Sequence, residues 1–258
     1  MIMLLIAAVL LASLVLAVFL VYRHMGNKKT DLRMKQLEKP VAKLLDTVDL
    51  DRAEKLMIVA HPDDETIWGG GHLLQDTGRY LVVCITAGTD SVRDEELKNA
   101  MAICQAQYLK LGFPDLDQQQ KQDRWKTAGT DIKATLEIIM TAKDWQSIVT
   151  HNPRGEYGHR HHKMTSRFVT NAFRKRIAKD NLFYFGIYYK PRYRKKLRRH
   201  QPLPADIADL KISGMLPEYP SQAGPRKSYE HMFHYEDWVK YRDWNGFTTF
   251  LRSKNIIP

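Results

Sequence analysis

Two short stretches of this chain carry side chains able to hold a metal ion and move protons. The first, Ile58-Val59-Ala60-His61-Pro62-Asp63-Asp64-Glu65, sets a histidine and three carboxylates directly behind an apolar, strand-like run. The second, Gly158-His159-Arg160-His161-His162, follows about a hundred residues later. A neutral imidazole and a carboxylate at His-x-x-Asp spacing can reach one ion from a single turn, and one distant histidine completes a three-ligand set. Three protein ligands leave a position for water. An ion held that way lowers the pKa of the water to about 7 and offers hydroxide to a carbonyl, which separates a catalytic metal from a structural one.

The elements that must position these groups can be read from hydrophobic patterning. Buried strands are expected at Leu56 to Ala60, Tyr80 to Ala87, Ser147 to His151 and Leu182 to Tyr189. Helical periodicity covers Glu95 to Leu111, through Leu97, Met101, Cys104, Tyr108 and Leu111, and also Thr130 to Ala142. This alternation predicts an α/β fold, a Rossmann-like, mostly parallel sheet with helices on both faces. The polar clusters follow the strands: His61 to Asp64 after the first, Thr86 to Asp90 after the second, Asn152 to His159 after the third. In open α/β sheets, ligands bind beyond the carboxyl ends of strands. An apolar stripe at Met164, Phe168, Ala172, Phe173 and Ile177 places His162 at or near a helix N-terminus.

The chain has 258 residues, enough for one sizeable domain with appendages, and shows no repeat. Residues 1 to 22 carry no charge and as a helix span roughly 33 Å, enough to cross a bilayer core. A cleaved signal peptide is the alternative, but nothing basic precedes the run and it is too long for that class. Residues 1–23 thus read as a transmembrane anchor and 24–52 as a basic juxtamembrane linker holding Arg23's neighbours Lys28, Lys29, Arg33, Lys35 and Lys39. Positive residues stay cytoplasmic, which puts a single-pass protein's body on the cytoplasmic face. The two cysteines, Cys84 and Cys104, read as core thiols, in keeping with a reducing compartment.

A net charge of +11 is compatible with nucleic acid, an anionic membrane or an acidic substrate. Much of the excess lies in Pro191 to His200, read as a solvated basic loop or a contact for anionic headgroups. No zinc-finger spacing, RNP sequence or basic-region heptad accompanies the charge, so nucleic acid is not expected as a partner.

With these residues in view, the chain resembles the PIG-L/LmbE family of zinc-dependent N-deacetylases, which includes the GlcNAc-phosphatidylinositol de-N-acetylase and the deacetylase of mycothiol synthesis. The resemblance rests on Ala60 to Glu65, Gly69-Gly70, Thr86-Ala87-Gly88, Arg93 with Glu96, and Gly155 to His162. A weaker echo at Lys211 and Tyr219-Pro220-Ser221-Gln222 extends it to residue 222. It implies a catalytic domain over 53–222, with 223–258 an aromatic and basic extension packed on the domain or the membrane. It also implies that His61, Asp64 and His162 hold Zn2+ or another divalent metal, and that Asp63 is the general base. His159 would stabilise the oxyanion and help the amine leave, as a cation or a hydrogen-bonding group. Tyr157 would help polarise the carbonyl, and Arg93 would contact sugar hydroxyls. The implied reaction removes acetyl from an N-acetylglucosamine moiety of a lipid-linked or polymeric glycoconjugate. A small soluble glycoside or chito-oligosaccharide is the alternative substrate. A non-catalytic, membrane-tethered glycan or anionic-lipid binding module is the alternative class.

Several positions carry a second reading. His161 is an additional imidazole that could compete with His162. Asp115 to Asp131 matches no family motif and reads as a rim loop. Arg93 could pair with Glu96 one turn on, and Glu65 reads as a carboxylate favourable to a first helical turn. Gly69-Gly70-Gly71 lacks the dinucleotide-binding spacing and reads as close helix-on-sheet packing. His72, His151, His200, His231 and His234 read as satisfied or exposed histidines, with His151 close enough to support the site. Trp238, Tyr241, Trp244 and Phe247 recur at helical steps and read as one packed or membrane-interface stripe.

Overall fold

The computed structural model describes residues 2–197 and 200–253; Arg198 and Arg199 of the basic run and residues 254–258 of the extension lie outside the described residues. Six strands form one sheet in the order β3-β2-β1-β4-β5-β6. They are β1 (Lys55–Val59), β2 (Tyr80–Thr86), β3 (Gln107–Phe113), β4 (Ser147–Thr150), β5 (Leu182–Phe185) and β6 (Trp238–Lys240). All pair in parallel except β6, which runs antiparallel to β5. The residues from Leu56 to Val59 and all of β2 are buried, the continuous apolar pattern of strands covered on both faces. Helices α2 (Asp64–Gln75) and α3 (Ser91–Cys104) pack with each other, and α1 (Ile2–Leu45), α4 (Gly129–Thr141) and α5 (Arg160–Arg176) form a second group. Cys84 and Cys104 are both buried free thiols.

Three expectations are corrected. The helix expected over Glu95 to Leu111 ends at Cys104, where Gln105 turns left-handed with φ 54°, and the chain returns as β3. Tyr108 and Leu111 are half-buried on this edge strand, and such spacing mimics a helical stripe. The C-terminal aromatics do not share a helix: Trp238 lies on β6, Tyr241 in a 3-10 turn, and Trp244 and Phe247 on the helix Trp244–Ser253. Residues 24 to 45, read as a linker, continue α1 instead. The N-terminal part of α1 is exposed, apolar and long enough to cross a membrane. Its C-terminal part is docked: Val41 and Leu45 are buried in the core, and Arg33 makes a two-pronged pair with Asp131 on α4 at 2.7 and 2.8 Å.

The glycine run of α2 lets the helix lie close against its neighbours. A Cβ on Gly69 would lie 2.6 Å from the terminal methyl of Met57 on β1, which would have to swing aside to make room.

Candidate metal centre and active site

β1 and β4 are neighbours, with β2 and β3 following on one side and β5 on the other, so the order of the sheet reverses between them. A crevice opens at such a reversal, beyond the carboxyl ends of the strands. The loop after β1 and the first residue of α2 bring His61, Asp63 and Asp64 there, and the loop after β4 with the first turn of α5 brings Tyr157, His159, His161 and His162.

The Asp64 carboxylate organises the centre. One oxygen accepts the His61 backbone N–H at 2.9 Å and lies 3.1 Å from His61 Nδ1. The other lies 3.2 Å from His162 Nε2. Burial opposes ionisation of Asp64, but His162 and His151 pull its carboxyl well below the usual range. His162 Nδ1 donates to the buried Glu156 carboxylate at 2.5 Å, which fixes the tautomer and leaves Nε2 with a lone pair. That Nε2 is buried and has no hydrogen-bond partner. An orphaned imidazole nitrogen aimed at a carboxylate, with its other nitrogen oriented by a second carboxylate, is the donor arrangement a divalent metal requires. His61, Asp64 and His162 therefore fit the group.

His151 and His161 have other tasks. His151 accepts the Ala60 N–H at Nε2 and shares Glu156 through Nδ1, both at 3.0 Å, while its ring stacks on His162. His161 faces away from Asp64: Nε2 bonds the Asp123 carbonyl at 2.7 Å, and the ring lies flat on Trp125 at 4.0 Å. Its Nδ1 is 3.0 Å from His61 Nε2, with Asp115 Oδ1 3.3 Å from the same His61 nitrogen. Among the described residues, ligand-type atoms lie within 4.8 Å of one another in three groups: His61 with His159 and His162, His61 with Asp115 and His161, and Asp64 with His151 and His162. Both His161 nitrogens are engaged, whereas His162 Nε2 is free to coordinate.

Asp63 sits beside this centre with φ 111°, a conformation costing of order 1–3 kcal/mol for a non-glycine residue. The strain is held by Glu65, which accepts the Asp63 N–H at 3.0 Å. Glu65 in turn accepts the Thr66 hydroxyl at 2.7 Å and the Tyr219 hydroxyl, which gives the Tyr219 echo its physical meaning. Burial and the neighbouring Asp64 charge raise the Asp63 carboxyl to about 8. Arg93 opposes that rise, 3.3 Å from Asp63 Oδ1, and also donates to the Pro62 carbonyl. The expected alternative pair of Arg93 with Glu96 is not formed: Glu96 accepts the Ser221 amide and hydroxyl at 2.7 and 2.6 Å. Arg93 Nε is buried without a partner.

The surroundings of His159 favour its neutral form. Burial, and then the nearby His162 and His61, push it down to about 3, and the Gln122 amide donates to its Nε2 at 2.7 Å. It can act as a hydrogen-bonding group. Tyr157 is 44% exposed, yet burial of its hydroxyl and the Asp64 charge hold it protonated, a donor across the pH range. The turn carrying it runs through left-handed Gly155, Glu156 and Gly158. A Cβ on Gly155 would lie 2.6 Å from the His159 carbonyl.

These groups line a cavity of about 290 Å³ whose walls include Trp68, Gln122 and Tyr229. Tyr157 lies 5.2 Å from Tyr229 and 6.5 Å from Trp68, ring to ring, so the mouth is aromatic. A larger cleft of about 1150 Å³ opens near Lys55, Tyr80 and Ser147, at the amino ends of the central strands, and contains none of the groups just described. The structure thus brings together all seven residues singled out in the sequence: His61, Asp63, Asp64, Arg93, Tyr157, His159 and His162. It adds Asp115 and Gln122 from the rim loop, Glu156, Trp68 and Tyr229. Only Glu156 had a sequence signal, as the acid inside the Gly155 to His162 motif.

Residues 56–173 match the family model described as PIG-L, GlcNAc-PI de-N-acetylase. That stretch runs from β1 into α5 and contains His61, Asp63, Asp64, Arg93, Tyr157, His159 and His162, so the likeness to the PIG-L family covers the candidate site. An uncharacterized protein of Acanthamoeba polyphaga mimivirus is 32% identical over 150 residues, 52% of this chain and 62% of that protein, so the match spans less than two thirds of the relative. The pseudoaglycone deacetylase Dbv21 shares the fold of the PIG-L-like domain, with a TM-score of 0.53 at 18% identity over 70% of this chain and 87% of its own. N,N'-diacetylchitobiose deacetylase from Pyrococcus horikoshii aligns at a TM-score of 0.40 and 18% identity, over 79% and 78% of the two chains.

Proposed function

We propose that this protein is a membrane-anchored hydrolase that removes the N-acetyl group from an N-acetylglucosamine moiety of a lipid-linked or polymeric glycoconjugate. The observation that carries the reading is the orphaned, Glu156-oriented His162 Nε2 facing Asp64, beside a strained and crowded Asp63. The family description names a GlcNAc-phosphatidylinositol substrate, and α1 suits a membrane-borne one. The basic residues from Arg23 to Lys39 support a cytoplasmic body.

A divalent ion, zinc in this reading, held by His61, Asp64 and His162 would supply Lewis acidity at the acetyl carbonyl and acidify water. The chain's own groups do the rest. Asp63, fixed by Arg93 and by Glu65, takes a proton from the attacking water. Tyr157 donates to the oxygen on which charge develops, and His159 adds a second donor while Gln122 holds its Nε2. Because His159 is neutral, delivery of the proton to the departing nitrogen falls to Asp63. A carboxyl raised toward neutrality suits both halves of that transfer. The C–N bond then breaks to acetate and the free amine. The aromatic mouth formed by Trp68, Tyr157 and Tyr229 suits the apolar face of a sugar ring.

The test is acetate release by the full chain from soluble, lipid-linked and polymeric N-acetylglucosamine donors, before and after chelation and with metal restored. Release from the lipid-linked or polymeric donor, abolished by chelation, is the expected result. Release from soluble glycosides alone would support the small-molecule alternative, and no release from any donor would reject the hydrolase reading.

A further inference from the structure

A cleft of about 570 Å³ lies between α1 and α5, away from the candidate active site. Phe19, Tyr22 and Arg23 line it from α1, and Arg167, Asn171 and Arg174 from α5. Arg23 is the first charge after the uncharged N-terminal run, so the cleft lies where a spanning helix would leave the bilayer. Phe19 and Tyr22 are exposed there, and aromatic residues favour the headgroup level.

The charges in the cleft are not balanced. The nearby carboxylates are taken: Lys175 and Arg176 pair with Asp31 and Glu137. None of the ion pairs among the described residues involves Arg23, Arg167 or Arg174, and all three are exposed. The neighbouring Lys133 is pushed down by burial and by the Arg167 and Lys29 charges, a sign of cations crowded together. Guanidinium groups match phosphate geometry with two parallel bonds, and an aromatic floor suits the glycerol and upper acyl region beneath it.

We propose that the α1–α5 cleft binds the phosphate headgroup of an anionic phospholipid. The inference rests on α1 spanning a membrane. Such a contact sets the height of the active site: Arg174 lies twelve residues beyond His162, about 18 Å along α5. The bound lipid and the docked half of α1 together hold the catalytic crevice at one distance from the surface that bears its substrate.

The experiment places the full chain in nanodiscs of phosphatidylcholine mixed with phosphatidylglycerol and counts retained phosphatidylglycerol by native mass spectrometry. The expected result is preferential retention, lowered about 25-fold in Arg23→Gln/Arg174→Gln, at about fivefold per cation near an anionic surface. Arg192→Gln/Lys195→Gln, with the same loss of charge elsewhere, should retain the lipid as wild type does. Equal loss in that control would reduce the effect to overall charge and overturn the proposal. So would displacement of the lipid by inorganic phosphate, which would mark a free-anion site. Extraction of the wild-type chain by alkaline carbonate would remove the membrane reading and this one together. Firm insertion without preferential retention would overturn this one alone.

Discussion

Helix α2 carries two buried polar networks, and they differ in completeness. At its start, Asp63, Asp64 and Glu65 meet His61, His162 and Arg93, and two nitrogens, His162 Nε2 and Arg93 Nε, are left without partners. Farther along, Glu236 accepts from Gly71 N at 2.7 Å, His72 N at 3.0 Å, His72 Nδ1 at 2.7 Å and Lys211 Nζ at 2.6 Å. Lys211 also donates to the Ile67 carbonyl at 2.9 Å, and Trp238 Nε1 to the Trp68 carbonyl at 3.0 Å. Those backbone groups are the two ends of consecutive rungs of α2's own ladder, so the second network clamps the helix. A filled network of this kind serves the fold. One with orphaned atoms and crowded carboxylates has bonding capacity left over that a ligand can take up.

The largest effect that sharpens this contrast is chemical. Asp63→Asn should lower acetate release by about 10²–10⁴-fold, the usual weight of a positioned proton-transfer group. The urea midpoint of that variant should stay level or rise, because one of two crowded carboxylates is gone. A large loss of stability would mean that the first network also holds the fold. Glu236→Gln should behave in the opposite way, costing about 3–5 kcal/mol in urea unfolding because it leaves Lys211 buried and unpaired. Its turnover per folded molecule should change little.

Acid separates the networks further. Burial alone would raise Glu236, but Lys211 and His72 pull it to about 2, against 4.5 for an ordinary glutamate. A carboxyl depressed by folding contributes stability that is complete above about 4.5 and lost as the pH falls toward about 2. The wild-type chain should therefore lose roughly 3 kcal/mol across that window, at about 1.4 kcal/mol for each tenfold change in proton affinity. Glu236→Gln should lack that component of the acid transition, which unfolding curves at successive pH values would show.

Much of the site was legible because its residue types do the chemistry at short spacing. His61 and Asp64 share one turn, and His162 opens a helix whose apolar stripe is plain. The central strands were legible for a related reason: β1 and β2 are buried on both faces and read as unbroken apolar runs. β3 was not, because an edge strand buries only part of its surface and its half-buried residues fall at helical intervals. Asp115 and Gln122 were invisible as partners of His61 and His159, since only the folded path of the rim loop brings them there. The neutrality of His159 follows from burial and adjacent imidazoles, neither of which has a sequence pattern. Lys211 and Glu236 meet only once β6 joins the sheet.

Smaller effects test whether orientation or coordination is at stake in the first network. Glu156→Gln keeps the shape of the group that orients His162 but removes its charge. Loss of such a partner weakens metal binding by about 10–100-fold, so metal titration should show that drop while saturating metal restores most turnover. Turnover that stays low at saturation would assign Glu156 a part in the reaction itself.

The smallest effect calibrates the rest. Arg33 and Asp131 join α1 to α4 with two good hydrogen bonds, but their side chains are 37% and 35% exposed. Water screens such a pair and its ordering costs side-chain entropy, so Arg33→Ala should shift the urea midpoint far less than Glu236→Gln, and less still at high salt. Burial is thus expected to separate this pair from Lys211 and Glu236, which make a bond of nearly equal length at full enclosure. If Arg33→Ala cost as much as Glu236→Gln in urea unfolding, and salt did not diminish it, enclosure would not be what distinguishes the networks. The docking of α1 would then stand beside the α2 clamp as a principal support of the fold.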